Sequence, residues 1–221
     1  MSSTHSALQH HFDTLDQQRE ASTFGMWCFL VTEIMFFGGL FTAYVVYRLR
    51  YQAAFEAASN SLLTWAGAVN TAVLICSSLT MALAIRSAQL DRRKAIVWFL
   101  LVTMLLGATF LGIKAFEYTT EFREHHYPGP SFHFDAPPAD PNPHHAEMFF
   151  AIYFCMTGLH AAHMLIGLGL LSSLLAPAWK GRYTPEWHNP LECIGLYWHF
   201  VDIVWIFLLP LLYLFGAHGT K

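Results

Sequence analysis

The sequence predicts an all-α, polytopic membrane protein built as a bundle of five transmembrane helices. Of its 221 residues, 55% are hydrophobic and only 12% are charged, whereas a soluble domain is typically about 25% charged. Five apolar stretches are each long enough to cross a bilayer as a helix, which takes roughly 20 residues. None of them alternates between polar and apolar residues, as the strands of a membrane β-barrel would. Composition, segment length and period therefore predict the same fold class.

The predicted spans are 24–47, 61–85, 95–116, 148–176 and 191–215. They form one membrane domain, 24–216, between a polar N-terminal arm, 1–23, and a short tail, 217–221. The segment 117–147 is rich in proline, acidic residues and histidine, and its histidine spacing fits no standard metal site. We expect a solvated loop that faces a partner there. No internal repeat or second domain is predicted.

Charge predicts the orientation of the chain. The N-terminal arm and the second and fourth loops carry seven lysines and arginines, and the opposite side carries four. The positive-inside rule then places the N-terminus in the cytoplasm and the C-terminus outside. A net charge of -3 without a basic stripe argues against a nucleic-acid partner. The four cysteines form no CxxC pair, which argues against a disulfide framework or zinc ribbon and predicts small core residues.

Polar side chains interrupt four of the spans at similar predicted depths. They are Glu33, Asn70, His160, His163, His199 and Asp202. A rise of 1.5 Å per residue places them roughly 8–16 Å from the cytoplasmic edge of a ~30 Å hydrocarbon core. Charges at that depth are costly and usually face a bundle interior and a partner. We expect these residues to form a buried polar layer without a metal.

Two of these groups have specific expected partners. His199 and Asp202, three residues apart, share a helical face and are expected to bond each other or a shared group. Glu33 is expected to be protonated or paired with a histidine. A structural hydrogen bond and a functional carboxyl, for proton handling or lipid contact, remain equally open for Glu33.

The other polar groups leave alternatives to weigh. His160 and His163 are expected to make interhelical hydrogen bonds, because two histidines three apart on one helix cannot clamp one haem from both sides. A di-iron site would need repeated Glu-x-x-His pairs, which are absent. Lys114 and Glu117 are expected at the outer interface, as an ion pair or as snorkelling side chains.

Five stretches of the chain carry a family resemblance. In order they read LVTEIMFFGGLFTAY, VNTAVLICSS, GIKAFEY, TGLHAAHMLIG and LECIGLYWHFVDIVW. Together they resemble subunit III of haem-copper terminal oxidases, the cytochrome c oxidase subunit III family. The resemblance runs from about residue 25 to residue 216, and the last two stretches are the most specific. The chain lacks the two N-terminal helices of the longest members and is similar to the five-helix bacterial form.

The resemblance implies helices in two groups around a cleft that holds structural phospholipid. It implies a subunit with no cofactor of its own, packed against catalytic subunit I, with haem and copper in partner subunits. The family's membrane-embedded carboxyl matches Glu33, and its lipid-headgroup positions match Lys180 and Thr184. The family is thought to sustain proton delivery and prevent turnover inactivation, and its cleft is a proposed oxygen entry route.

The sequence is therefore interpreted as a non-catalytic subunit of a bacterial cytochrome c oxidase in the inner membrane, serving aerobic electron transport. The homologous subunit of a quinol oxidase and a nitric oxide reductase accessory protein are the close alternatives. A haem-b membrane anchor using His160, His163 and His199 is an alternative of another class. A transporter would need a repeat or broken helices, which the sequence does not show. Membership of a respiratory supercomplex is left open.

Overall fold

The computed structural model describes residues 12–130, 132–135 and 137–214. Its helices are α1 (Leu15–Arg50), α2 (Gln52–Ser61), α3 (Thr64–Gln89), α4 (Arg93–Arg123), α5 (Pro143–Trp179) and α6 (Asn189–Leu209), followed by a π-helical turn, Pro210–Leu214. All but α2 are long and apolar enough to span a membrane, the last with its π-helical turn. The described residues contain one isolated β-bridge and no strand. The all-α class with five spans is confirmed, while the tail 217–221 lies outside the described residues.

Helix ends differ from the predicted boundaries where local chemistry extends the helices. The side chain of Thr14 caps α1 by accepting from the N–H of Gln17 at 3.1 Å. The second half of the predicted polar arm is therefore helical, and residues 1–11 lie outside the described part. The predicted loop 117–147 shrinks to 124–142, because α4 continues to Arg123 and α5 starts at Pro143, a favoured residue for a helix start.

The sequence analysis does not predict helix α2. It is short, and it buries Ala54, Phe55 and Ala58 on one side. The Ser59 hydroxyl donates to the carbonyl of Leu212 at 2.6 Å. This bond links α2 to the π-helical turn Pro210–Leu214, called the C-terminal turn below. The cysteine expectation also needs correction. All four are free, Cys28, Cys76 and Cys155 are exposed on the surface of this chain, and Cys193 is half-buried.

Helix α6 lies at the centre of the bundle, where it contacts α1, α3 and α5. The indole of Trp198 fits between glycines of α4 and α5. A Cβ atom at Gly107 or at Gly167 would lie 2.8 Å from that ring. The indole N–H donates to the Ser77 hydroxyl of α3 at 3.0 Å. Small residues thus let four helices approach one aromatic ring, a common packing device in membranes.

Contacts at the two ends of the bundle define an alternating topology. At one end, Arg19 of α1 pairs with Glu192 of α6 at 3.2 Å. At the same end, the side chain of Arg93, the first residue of α4, packs against Gly181 in the turn after α5. At the other end, the Tyr51 ring stacks on His145 at 3.8 Å. The segments that carry the predicted cytoplasmic charges therefore share one end. Which end faces the cytoplasm stays a prediction.

Candidate functional site

A carboxyl and an imidazole from two spans meet inside the bundle. Glu33 Oε2 of α1 lies 3.2 Å from Nε2 of His163 on α5. The Nδ1 atom of His163 lies 2.8 Å from the carbonyl of Leu159, so Nδ1 carries a proton and donates. The Glu33–His163 contact then holds one shared proton, as an ion pair or as a neutral hydrogen bond. Of the two alternatives expected for Glu33, protonated or paired with a histidine, the structure shows the pairing.

An apolar groove of about 470 Å³ runs beside this pair between α1 and α6; we call it the α1/α6 groove. Its walls include Ile34, Phe37 and Gly38 of α1 and Phe200 and Phe207 of α6. The Phe37 ring lies 5.4 Å from the His163 ring and so joins the pair to the groove wall. A Cβ atom at Gly38 would meet nothing within 4 Å. The apolar walls of the groove suit a hydrocarbon chain.

A second groove, of about 370 Å³, lies between α3 and α6; we call it the α3/α6 groove. His199 borders both grooves, and its Nδ1 lies 2.7 Å from the Ser78 hydroxyl of α3. Asp202 lines the α3/α6 groove, is only 3% exposed, and has no hydrogen-bond partner among the described residues. The expected direct bond between His199 and Asp202 is therefore wrong. Ser78 lies near the carboxyl, but its hydroxyl bonds His199 and does not meet hydrogen-bond geometry with Asp202.

Two further members of the expected polar layer are buried but unpaired within the part of the chain that the structure describes. The Asn70 amide of α3 is fully buried, with no partner for either polar atom. His160 of α5 packs against the rings of Phe110 and Trp205, at centroid distances of 5.4 and 5.2 Å. Neither of its nitrogens has a partner there. The expected interhelical hydrogen bond of His160 is wrong, because aromatic rings occupy the positions where a polar partner would sit.

A charged cluster that the sequence analysis misplaced lies deeper in the bundle; we call it the Lys114 cluster, comprising Lys114, Glu117, Tyr153 and Tyr213. Lys114 Nζ lies 3.1 Å from Glu117 Oε2, 3.2 Å from the Tyr153 hydroxyl and 3.0 Å from the Tyr213 hydroxyl. Both tyrosines donate to Glu117 Oε1, Tyr153 at 2.7 Å. Lys114 is 4% exposed and Glu117 fully buried. The expected ion pair exists, but it is buried between helices, and neither side chain snorkels.

A spacing signal could have revealed this burial. The buried positions of α4 continue at intervals of three and four residues through Thr103, Gly107 and Phe110 to Lys114 and Glu117. On a helix such spacing marks one face. The two charged residues therefore belong to the stripe of α4 that packs against its neighbours, although their charge alone suggests exposed side chains.

Two histidines in or next to the loop 124–142 pair with acidic side chains. His126 Nδ1 lies 2.8 Å from Glu121, and His145 Nδ1 lies 2.8 Å from Asp140. Glu121, Glu124 and His126 bring three potential ligand atoms within 4.8 Å of one another, so they are the residues that could hold a cation. In this structure the Glu121–His126 bond satisfies two of them, and the cluster serves to fix the loop against the end of α4.

Lys180 and Thr184, which the family resemblance matches to lipid-headgroup positions, lie at the end of the bundle that holds Arg19. Lys180 is exposed just after α5, and Thr184 forms a tight turn with Trp187 through two backbone bonds. Between them, Tyr183 stacks on Trp187 at 5.8 Å, and burial raises the pKa of its hydroxyl to about 12. A rigid aromatic turn thus carries Thr184 beside an exposed ammonium group.

The arrangement of the histidines bears on haem binding. Both ring nitrogens of His163 are engaged, by Leu159 and Glu33, and one nitrogen of His199 is engaged by Ser78. Iron ligation by His163 would have to break one of these contacts. The geometry therefore favours hydrogen bonding over haem ligation at that position.

Comparison with known proteins assigns the family. A family model described as cytochrome c oxidase subunit III matches residues 144–217. The chain is 30% identical to a cytochrome bo(3) ubiquinol oxidase subunit 3 of Pseudomonas aeruginosa over 94% of this chain and 91% of the relative. The chain belongs to the cytochrome c oxidase subunit III family. With its five apolar helices, this family member is a multi-pass membrane protein.

Relatives of this subunit III chain come from two kinds of oxidase. A cytochrome c oxidase subunit 3 of Synechocystis is 34% identical over 86% of this chain and 74% of the relative. A quinol oxidase subunit 3 of Bacillus subtilis is 28% identical over 88% of this chain and 87% of the relative. The expected family is confirmed, while the relatives do not distinguish its two branches. The match to the family model includes His160, His163, His199 and Asp202.

Proposed function

We propose that this chain is a non-catalytic subunit of a bacterial cytochrome c oxidase and acts by stabilising the catalytic subunit I. Haem and copper then lie in partner subunits, while this chain binds structural phospholipid and sustains proton and oxygen delivery. The inner membrane is its proposed location, with a cytoplasmic N-terminus. Family membership supports the proposal, because the relatives are named as subunits 3 of cytochrome c oxidases and quinol oxidases.

The observation that carries this proposal is the Glu33–His163 pair beside the α1/α6 groove. A carboxyl within the hydrocarbon region needs a partner, and His163 supplies it from within the chain. The groove next to the pair then presents hydrocarbon-compatible walls, which a phospholipid acyl chain fills without leaving a polar group unpaired. We place the lipid headgroup contacts at Lys180 and Thr184, because an exposed ammonium group attracts a phosphate there.

The test is Glu33→Ala in the complete oxidase. The substitution leaves His163 Nε2 without its partner beside the groove. We expect unchanged haem spectra and an initial turnover near that of the wild type. The active lifetime during continuous turnover should fall several-fold, as measured by oxygen consumption until the oxidase is inactivated.

The matched control is Glu56→Ala on α2, where the acid bonds its neighbour Gln52. This variant should keep the lifetime of the wild type. An unchanged rate of inactivation in Glu33→Ala would remove the functional role of the pair. A loss of haem absorbance in the same variant would show a general assembly defect instead, and would also count against that role.

A quinol oxidase is the second candidate, because a ubiquinol oxidase subunit matches nearly the whole chain at 30% identity. The purified complex should oxidise reduced cytochrome c at a rate well above its oxidation of ubiquinol. The reverse ratio would move this chain to the quinol branch and would leave the role of Glu33 intact.

A further inference from the structure

The α3/α6 groove holds a chemical group that the α1/α6 groove lacks. Both oxygens of Asp202 are buried without a hydrogen-bond partner in the described residues, and the side chain lines the groove. The remaining walls are apolar apart from His199 and Ser78, which bond each other. A buried carboxyl without a partner costs free energy in hydrocarbon. The groove is therefore incomplete as this chain alone builds it.

The position of Asp202 limits what can complete the groove. Asp202 lies near the middle of the 26-residue stretch Asn189–Leu214. At 1.5 Å per residue it is about 18–20 Å from either end of that stretch. Phospholipid headgroups lie at the membrane surfaces, and acyl chains carry no hydrogen-bond donor. A lipid can cover the apolar walls, but it leaves the carboxyl unsatisfied.

We propose that the α3/α6 groove receives a transmembrane helix of the oxidase's catalytic subunit, which presents a hydrogen-bond donor side chain to Asp202. This inference rests on the proposed function, because it names the face through which the subunit meets its partner. The walls suit a helix: Ile75, Leu79 and Ile206 are 54%, 60% and 45% exposed, and Ala82 leaves room for close approach. Exposed apolar walls alone would suit lipid equally, so Asp202 is the residue that selects a protein.

A second copy of this chain fits the groove less well. A twofold dimer brings the same surface patch of both copies together. Such a dimer would place one buried acid opposite the other, and the other polar groups of the groove, His199 and Ser78, already bond each other. A different polypeptide with a hydroxyl, amide, indole or cationic group satisfies the carboxyl directly.

Photocrosslinking in the complete oxidase tests the proposal. The photoreactive residue p-benzoylphenylalanine replaces Leu79 in the groove or, as a matched probe, Leu105, an equally exposed leucine of α4. We expect an adduct between position 79 and the catalytic subunit. The adduct yield should fall at least fivefold in Asp202→Leu, because the replacement removes the acceptor for the partner's donor.

A second pair of variants keeps the test decisive if Asp202→Leu fails to accumulate. Ala82→Phe fills the groove with bulk, whereas Ala108→Phe adds the same bulk on the exposed surface of α4. The position-79 adduct should fall at least fivefold in the first variant and stay within twofold of the unsubstituted level in the second. Equal yields in both variants would overturn the proposal.

The possible occupants give distinct results. Adducts of position 79 with phospholipid only, or with a second copy of this chain, would overturn the groove assignment. If the wild-type chain co-purifies with the catalytic subunit but position 79 does not reach it, only the groove assignment fails. If the wild-type chain does not co-purify with any haem-copper subunit, the proposed function itself fails.

Discussion

Glu117 and Asp202 are buried carboxyl groups on two different membrane-spanning helices, and their surroundings are opposite. Glu117 of α4 is surrounded by donors: Lys114, Tyr153 and Tyr213 all reach it. Asp202 of α6 is nearly as buried and has no partner within the described residues. Both residues lie on the apolar sequence background that predicts transmembrane helices. The difference comes from what the neighbouring helices present to each group.

The contrast separates two uses of an acid within a membrane. The Lys114 cluster balances charge and satisfies donors within one chain, so its interactions stabilise the fold of that chain and connect α4, α5 and the C-terminal turn. The Asp202 carboxyl needs a hydrogen-bond partner that another molecule supplies. A buried ion pair contributes little net stability compared with an apolar replacement, but breaking one partner is costly. The Lys114 cluster should therefore respond strongly to single substitutions, and Asp202 should respond mainly in the assembled oxidase.

The largest expected effect is that of Glu117→Gln. The substitution leaves the Lys114 ammonium group buried without a counter-charge, although the amide keeps nearly the same shape. We expect a loss of about 3–5 kcal/mol in the free energy of unfolding. Denaturation of the full-length chain in mild detergent measures this loss. Glu56→Gln on α2 is the matched control, and it should change the free energy of unfolding by less than about 0.5 kcal/mol. Equal effects of the two substitutions would refute the importance of the internal pair.

A smaller effect is expected when both charges of the pair are removed together. In the double variant Lys114→Met, Glu117→Leu, no unpaired charge remains in the Lys114 cluster, and the two tyrosine hydroxyls lose their partners there. The double variant should lose less stability than either single one, by about 1–3 kcal/mol. The same denaturation assay completes the double-mutant cycle. Additive losses would mean that the two side chains contribute independently and would weaken the description of the cluster as one unit.

The sequence was sufficient for features that depend on single segments. Five apolar stretches predicted five membrane helices. The cost of an isolated carboxyl in hydrocarbon left Glu33 either protonated or paired with a histidine, and the structure shows the pairing. The three-residue spacing of Lys114 and Glu117 also predicted their ion pair. In each case the determining physics acts within one helix or forces a group to find some partner.

The sequence does not predict features that depend on how neighbouring helices are rotated relative to one another. His160 and His163 lie three residues apart on α5, yet one meets Glu33 and the other meets aromatic rings. Likewise, His199 bonds Ser78 of α3 and not Asp202 on its own helix. Which neighbour a polar group meets is decided by side-chain packing between helices, such as the fit of Trp198 between two glycines. A list of polar positions in one sequence does not contain that packing.

The smallest expected effect completes the comparison of the two acids. Asp202→Asn is the same chemical change as Glu117→Gln, an acid replaced by its amide. In the isolated full-length chain it removes no hydrogen bond seen in the described residues, and it exchanges one buried unpaired polar group for another. The free energy of unfolding in detergent should therefore change by less than about 0.5 kcal/mol. A loss as large as that of Glu117→Gln would mean that the folded chain itself supplies a partner to Asp202. Asp202 would then be part of the internal packing of this chain. It would no longer support the proposal that a second protein binds in the α3/α6 groove.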